Sequence, residues 1–484
     1  MRYLMMLVLS LAVFVGMGQD TIQRVFFGSS GDDEFVKAFE RPNDLLMFGS
    51  VDNGSNLSDI YIVQTTKDLK KSTYHKIGTS SIERVVDVFV DTTNFSSYVL
   101  LDYSSGFDST GYDLKVIKLD SSFNQTEEYL IANVGVDISI SVEINDEHVF
   151  VIRSEDDLFH LTSFSTDLDF ESDFSLELKT DSFEIVDFIA TDSGFFVLGN
   201  ALVSVDNYDI FIKGYNDQGS EVADWIFGDS LNEKANHFFF KDSTHLIVSG
   251  SSQSFNNQPD YDAMIFQVDD TGSLNWLQIH GFAIEGPFND DFGIQAQMFG
   301  SNRILFGVYT QTYGFGNGDY HIYLLSSQGG YISGNSYGFP ERDRLEGFIR
   351  TSEKRIIMFG ESNSGSIGGE DILVVATDTA AAGGIRTTSV LADSSNVETL
   401  KVYDQISVSE IDFTCYERGK LQVSGFTLPS FVRVFDTQGS LLLSKDCKSE
   451  SNVELDLLER MNQPLIIQIE GLQGTYVQKI QIQD

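Results

Sequence analysis

Six carboxylates recur roughly every 50 residues along the chain: Asp33, Glu83, Asp137, Glu184, Glu233 and Asp290. Each stands at or just before the first residue of an apolar-alternating segment, and the same place in a seventh unit holds Arg344. Were these segments arranged side by side about an axis, the carboxylates would crowd one rim. Converging oxygens are what a hard cation such as Ca2+ requires, whereas a purely structural reading has each acid capping a turn or accepting from nearby amides. A second set is aromatic: Phe255, Tyr261, Tyr313 and Phe315 lie in loops rich in Asn, Ser and Gly. Rings among amide groups suit a sugar or a peptide; the alternative is a solvated loop face. The seven histidines (His75, His148, His160, His237, His245, His280, His321) have no short metal-ligand spacing, so no zinc centre is predicted. No Gly-x-Ser-x-Gly elbow is present, and the Gly-x-Gly within 313–319 precedes no helix that would hold a phosphate. No catalytic residue is nominated, and no cofactor is expected beyond Ca2+ at the acid ring.

The elements that would position these residues are strands. A marker Asp opens an apolar segment at Asp59, Asp113, Asp157, Asp209, Asp262, Asp319 and Asp371. Around each marker the unit reads as four strands, A to D. In the fifth unit these are Ala235–Lys241, His245–Gly250, Ala263–Val268 and Leu274–Gly281, with an Asp269-Asp-Thr-Gly turn between C and D. Alternation with period two buries one face of every strand. A four-stranded repeat of this length is the signature of a β-propeller blade. Strand B repeatedly ends in glycine, read as allowing close approach between blades. The seventh unit supplies only A, B and C, while Thr21–Gly28 looks like an orphan strand D. The N-terminal strand is therefore expected to complete the seventh blade and remove two exposed edges.

Residues 1–18 read as a signal peptide, with Arg2, an apolar run from Leu4 to Val15, and small residues before Gln19. The run is too short for a stable span and no transmembrane segment is expected later, so the chain is expected to be exported. Against 31 basic residues stand 72 acidic ones, a net charge of −41. Such a surface repels nucleic acid and anionic lipid. The two cysteines, Cys415 and Cys447, fall near the C-terminus; export permits a disulfide, and two separately buried thiols stay open beside it.

From these boundaries the chain is expected to be all-β: a seven-bladed β-propeller over 19–384, a polar linker over 385–401, and a small antiparallel β-sandwich over 402–484. In the last stretch Val434-Phe-Asp-Thr-Gln-Gly-Ser-Leu-Leu is a hairpin, Val453-Glu-Leu-Asp-Leu-Leu an acidic-apolar strand, and Lys479-Ile-Gln-Ile a terminal strand. These resemble the C-terminal sorting domain of cargo of the type IX secretion system of Bacteroidetes. A Pro-Asn-Pro near the start and a Gly-Val-Tyr before the penultimate strand, both usual there, are replaced by other residues. The resemblance implies an outer-membrane secretion machinery as partner through 402–484, and a secreted or cell-surface location. The propeller is also similar to repeat propellers common in such proteins. The expected function is non-catalytic recognition or adhesion of a protein or glycan. The alternatives are a glycan-active hydrolase or lyase with a site at the channel mouth, and a structural surface scaffold.

Overall fold

Period-two alternation gives strands with two usable faces, and four of them pair edge to edge into each sheet. In blade 5, Glu233–Asp242, His245–Ser252, Asp262–Asp269 and Leu274–His280 pair in that order, all antiparallel. Blades 1 to 6 are six such sheets. Blade 7 has strands A, B and C of its own chain segment, Asp343–Arg350, Ile356–Ser362 and Asp371–Thr377. Its fourth strand is Ile22–Gly28, which runs antiparallel to strand C with Gln23 opposite Ala376 and Phe27 opposite Ile372. The molecule is a seven-bladed propeller closed by its N-terminal strand, as the orphan strand predicts.

Packing between the sheets closes the ring. Seven apolar cores lie between successive blades, and one of them joins blade 7 to blade 1 through Val25, Phe27, Phe35, Met47, Phe359 and Val374. Strand C is covered on both faces: every residue from Asp262 to Val268 is buried. Burying one such Val, Leu, Ile or Phe side chain stabilises by about 1.5–3 kcal/mol. Phe26 and Phe27 sit on opposite faces of the closing strand, in the 6/7 and 7/1 cores respectively.

The repeated small residues have specific steric causes. Strand D of blade 5 ends against Gly281, where a Cβ would lie 1.7 Å from Oδ1 of the marker Asp262. Gly78, Gly228 and Gly338 face Asp59, Asp209 and Asp319 in the same way. The marker carboxylate thus folds over the end of strand D, and only glycine leaves room. The strand B glycines correct the sequence reading. At Gly49, Gly199, Gly250 and Gly360 a Cβ would strike the backbone oxygen of Glu34, Glu184, Lys234 or Arg344, on strand A of the same blade. Contact with the next blade, as read from sequence, occurs at Gly307, against Phe348 and Leu345.

The computed structural model describes residues 22–28, most of 32–377, 387–393 and the strands between 412 and 481. The signal peptide, Asp137, Phe255, Tyr313 and Phe315 lie outside the described residues. Within the stretch read as a linker, Thr387–Asp393 is a strand running parallel to the closing strand. Farther on, Asp412–Glu417, Lys420–Ser424 and Asn452–Asp456 form a three-stranded sheet. Ser430–Phe435, Leu441–Cys447, Pro464–Gly471 and Gly474–Gln481 pair with one another, the last also with Thr387–Ser389. This gives strands over 402–484 without showing two sheets packed as the expected sandwich. Cys415 and Cys447 fall on strands of different sheets. No helix among the described residues is long and apolar enough to cross a membrane.

Candidate functional site

Strand A is the inner edge of each blade, and in every blade its pairing with strand B is broken by a one-residue bulge. The shift falls between Phe35 and Lys37, Val85 and Asp87, Ser139 and Ser141, Ile185 and Asp187, Ala235 and His237, Gly293 and Gln295, and Leu345 and Gly347. A bulge turns one side chain out of the strand's alternation. In blade 2, Val85 and Val88 belong to the core shared with blade 1, and Val86 and Phe89 to that shared with blade 3. Asp87 between them belongs to neither and faces the channel. Seven equivalent residues therefore ring its waist: Lys37, Asp87, Ser141, Asp187, His237, Gln295 and Gly347.

The ring is electrostatically organised. The Lys37 ammonium lies 3.0 Å from Asp87 and 3.9 Å from Glu143, which is two residues beyond Ser141. Asp87 also accepts from the Ser141 hydroxyl at 2.6 Å and from the Val142 and Val88 amides at 3.0 and 2.7 Å. Lys37 keeps 36% of its side-chain surface open. Burial alone would push Lys37 down; Asp87 and Glu143 outweigh it and hold the ammonium above its ordinary range. Burial raises Glu143 to about 7, with Lys37 pulling the other way. It raises Asp187 to about 8, opposed in part by the Phe238 amide. His237 is pushed down to about 4, chiefly by burial and further by Lys37.

The rim acids are shifted from the sequence assignment by one residue in two blades. Counted from the bulge, the equivalent positions are Asp33, Glu83, Asp137, Phe183, Glu233, Asp291 and Asp343. Glu184 lies one residue deeper, exposed and bonded to Asn200 Nδ2 at 3.0 Å. Asp290 lies one residue earlier and accepts from the Tyr261 amide at 2.9 Å. Blade 7 contributes Asp343, where sequence had shown only Arg344. Asp33, Glu83, Glu233, Asp291 and Asp343 are all buried. Glu233 accepts from the Ser252 hydroxyl at 2.6 Å and the Asp229 amide at 2.9 Å. Asp291 accepts from Thr312 Oγ1 at 2.7 Å and the Gln311 amide at 3.2 Å, while burial raises it to about 6. Asp343 accepts from the Ser362 hydroxyl and the Phe339 amide. Glu233, Asp291 and Asp343 tie strand A to the end of strand B and, at Glu233 and Asp343, to the incoming loop. Among the described residues no three His, Cys, Asp or Glu side chains are placed to hold a metal ion.

Of the four loop aromatics, Tyr261 alone is among the described residues. Its ring lies 5.6 Å from Phe292, which stacks at 6.1 Å on Tyr309. The histidines are dispersed. His280 and His321 flank Tyr323 at 4.4 and 4.2 Å between ring centres, and burial drives them down to about 4 and about 3. Sequence reasoning missed the waist ring. Its signal was a polar residue amid the apolar ones of strand A, as in Val85-Val-Asp-Val-Phe and Ile185-Val-Asp-Phe-Ile.

The chain is an all-β, seven-bladed β-propeller. No family model and no curated protein matches its sequence. Among solved structures it is similar to the Dos1 propeller, at 10% identity over 74% of this chain and 96% of that one, with a TM-score of 0.46. The periplasmic gluconolactonase PpgL of Pseudomonas aeruginosa aligns at 12% identity over 86% and 99%, with a TM-score of 0.45. The WD40 domain of Toxoplasma gondii coronin aligns at 8% identity over 74% and 87%, with a TM-score of 0.44.

Proposed function

We propose that the protein is a non-catalytic recognition module, secreted or displayed at the cell surface through its C-terminal region. The observation that supports this reading is the engagement of the rim carboxylates. Glu233, Asp291 and Asp343 direct their oxygens at hydroxyls and amides of their own sheets. At the waist Lys37 neutralises Asp87. A glycoside hydrolase needs one carboxyl free to donate and a second free to attack or to activate water; groups held as structural clamps serve neither role. Export rests on the resemblance of 402–484 to a sorting domain. The test is the full chain on glycan and peptide arrays beside a panel of glycan substrates. Saturable binding without turnover is expected, and turnover abolished by a rim-acid variant would overturn the reading. Deleting 402–484 should retain the propeller in the periplasm; undiminished secretion would remove the export part.

A further inference from the structure

On the face carrying the A–B and C–D turns, side chains of one blade reach the C–D turn of the next. The C–D turns share one geometry, with the fourth residue's amide donating to the first residue's carbonyl, as in Leu69 to Thr66, Phe123 to Asp120, Leu168 to Ser165, Gly272 to Asp269 and Gly329 to Ser326. At four of these turns the carbonyl of the second residue accepts a side-chain donor reaching across from the preceding blade. Arg355 reaches Lys67 at 3.2 Å, Arg41 reaches Ser121 at 3.3 Å, the Tyr98 hydroxyl reaches Thr166 at 2.8 Å, and Lys241 reaches Ser327 at 3.1 Å. In the Tyr98 groove Lys118 also crosses, to Asp167 at 2.7 Å. Every one of these grooves is therefore spanned by a cation. Residues 145–147, between strands A and B of blade 3, lie outside the described residues.

The equivalent residue in blade 5 is Asp270, and among the described residues no side chain of blade 4 donates to its carbonyl. The cause is local. The cross-strand pair beneath this groove is Gly214 opposite Ala223, where blade 5 has Gln267 opposite Trp276. There the Trp276 indole and Lys241 both bond Gln267 and fill the space. In blade 4 a cavity of about 590 Å³ remains. Its walls are the rings of Trp225, Phe196 and Phe240, with Asp242 and Asp270 at the mouth. Phe196 lies 6.3 Å from Trp225 and 5.4 Å from Phe240, ring centre to ring centre. Asp242 stays an anion, held down to about 2 by the His245 side chain first and the Thr244 amide next. Val222, which also lines the cavity, is 64% exposed.

We infer that the groove between blades 4 and 5 binds an arginine or lysine side chain of a partner polypeptide, which supplies from outside the bridging cation that four other blade pairs supply from within. An aromatic wall with carboxylates at its rim holds a guanidinium or ammonium by cation–π contact and charge together. The net charge of −41 draws such a partner in, and the exposed Val222 offers apolar contact to its flanking residues. This deepens the recognition reading by naming a ligand class and places it on the face opposite the B–C loops.

Isothermal titration calorimetry on the full chain, with Nα-acetyl-arginine methylamide as probe, tests it. Saturable binding is expected, at least about tenfold tighter than for the neutral citrulline analogue, since about 1.4 kcal/mol separates them for each factor of ten. Ala223→Trp copies the neighbouring groove and should abolish binding with the far-UV spectrum unchanged. Asp270→Asn, at an exposed site, should weaken binding several-fold. No saturable binding, equal binding of the citrulline analogue, preference for methyl glucoside, or undiminished binding by Ala223→Trp would each overturn the inference. Array binding that survives Ala223→Trp would overturn this site while leaving the recognition reading in place.

Discussion

Removing the two rings of the closing strand should cost the propeller most of its stability. Phe27 is fully buried in the 7/1 core, 6.0 Å from the ring of Tyr74. Phe26 is 2% exposed in the 6/7 core, 5.4 Å from Phe339. Phe→Ala at such sites costs about 3–5 kcal/mol, from lost burial and the cavity left behind. Because the two rings enter different cores, their effects should add to within about 0.5 kcal/mol. The double variant should then lose roughly 6–10 kcal/mol, comparable to the whole stability of many proteins, roughly 5–15 kcal/mol. Urea titration followed by far-UV circular dichroism measures the shift, with Phe170→Ala, 52% exposed, as the control expected to stay within about 0.5 kcal/mol. If the double variant keeps the parent midpoint while Phe359→Ala in the same 7/1 core loses it, the N-terminal strand does not carry the closure and the reasoning fails.

Three further outcomes are expected. Glu143, Asp187 and Glu346, raised to about 7, 8 and 7 by burial, make the folded state take up protons that the unfolded state releases, so their contribution is lost as pH rises through those values. His237, His280 and His321, pushed down to about 4, 4 and 3, contribute stability above pH 6.5 that is lost as pH falls through the lowered values. Melting temperature should therefore hold through about pH 5–6 and fall from there to pH 9; a steady rise from pH 6 to pH 9 would contradict the raised carboxyls, and no loss between pH 5 and pH 3 would contradict the lowered histidines. Lys37→Met strands the waist carboxylates; with 36% of the Lys37 side chain open to screening solvent the loss should be about 1–2 kcal/mol at pH 8, shrinking near pH 5 where Glu143 and Asp187 are neutral; equal losses at both pH values would show that the charge pairing is idle. Gly281→Ala drives a methyl into the Asp262 carboxylate and should cost about 1–3 kcal/mol, read as a lower denaturant midpoint, with no loss expected if that carboxylate is free to swing aside.

Blade number and closure were legible because their signals are local. Period-two alternation, a marker Asp and a turn glycine each act within a few residues, and Ile22–Gly28 matched strand D by pattern alone. In blades 4 and 6 the nominated acids, Glu184 and Asp290, lie one residue from the rim position, because that position counts from the bulge rather than from the strand's first residue. The waist ring went unnominated for the same reason: a bulge is a relation between two strands, and Asp87 or His237 alone reads as an interruption. The 4/5 groove depends on a comparison no single segment contains, Gly214 with Ala223 against Gln267 with Trp276. The tail offered strand patterns, but patterns do not say which sheets pack together.

Phe27 and Ile372 face each other across one ladder although nearly the whole ring separates them in sequence. All other pairings within the blades join near neighbours, so six sheets can assemble in succession while the seventh waits for a segment synthesised last. Until then the molecule is an open crescent whose first-made strand has no mate, and the entropy of bringing such distant ends together slows the final step. A chain held in that unlatched form keeps one blade edge open, and the ring becomes rigid only when Phe26 and Phe27 reach their two separate cores.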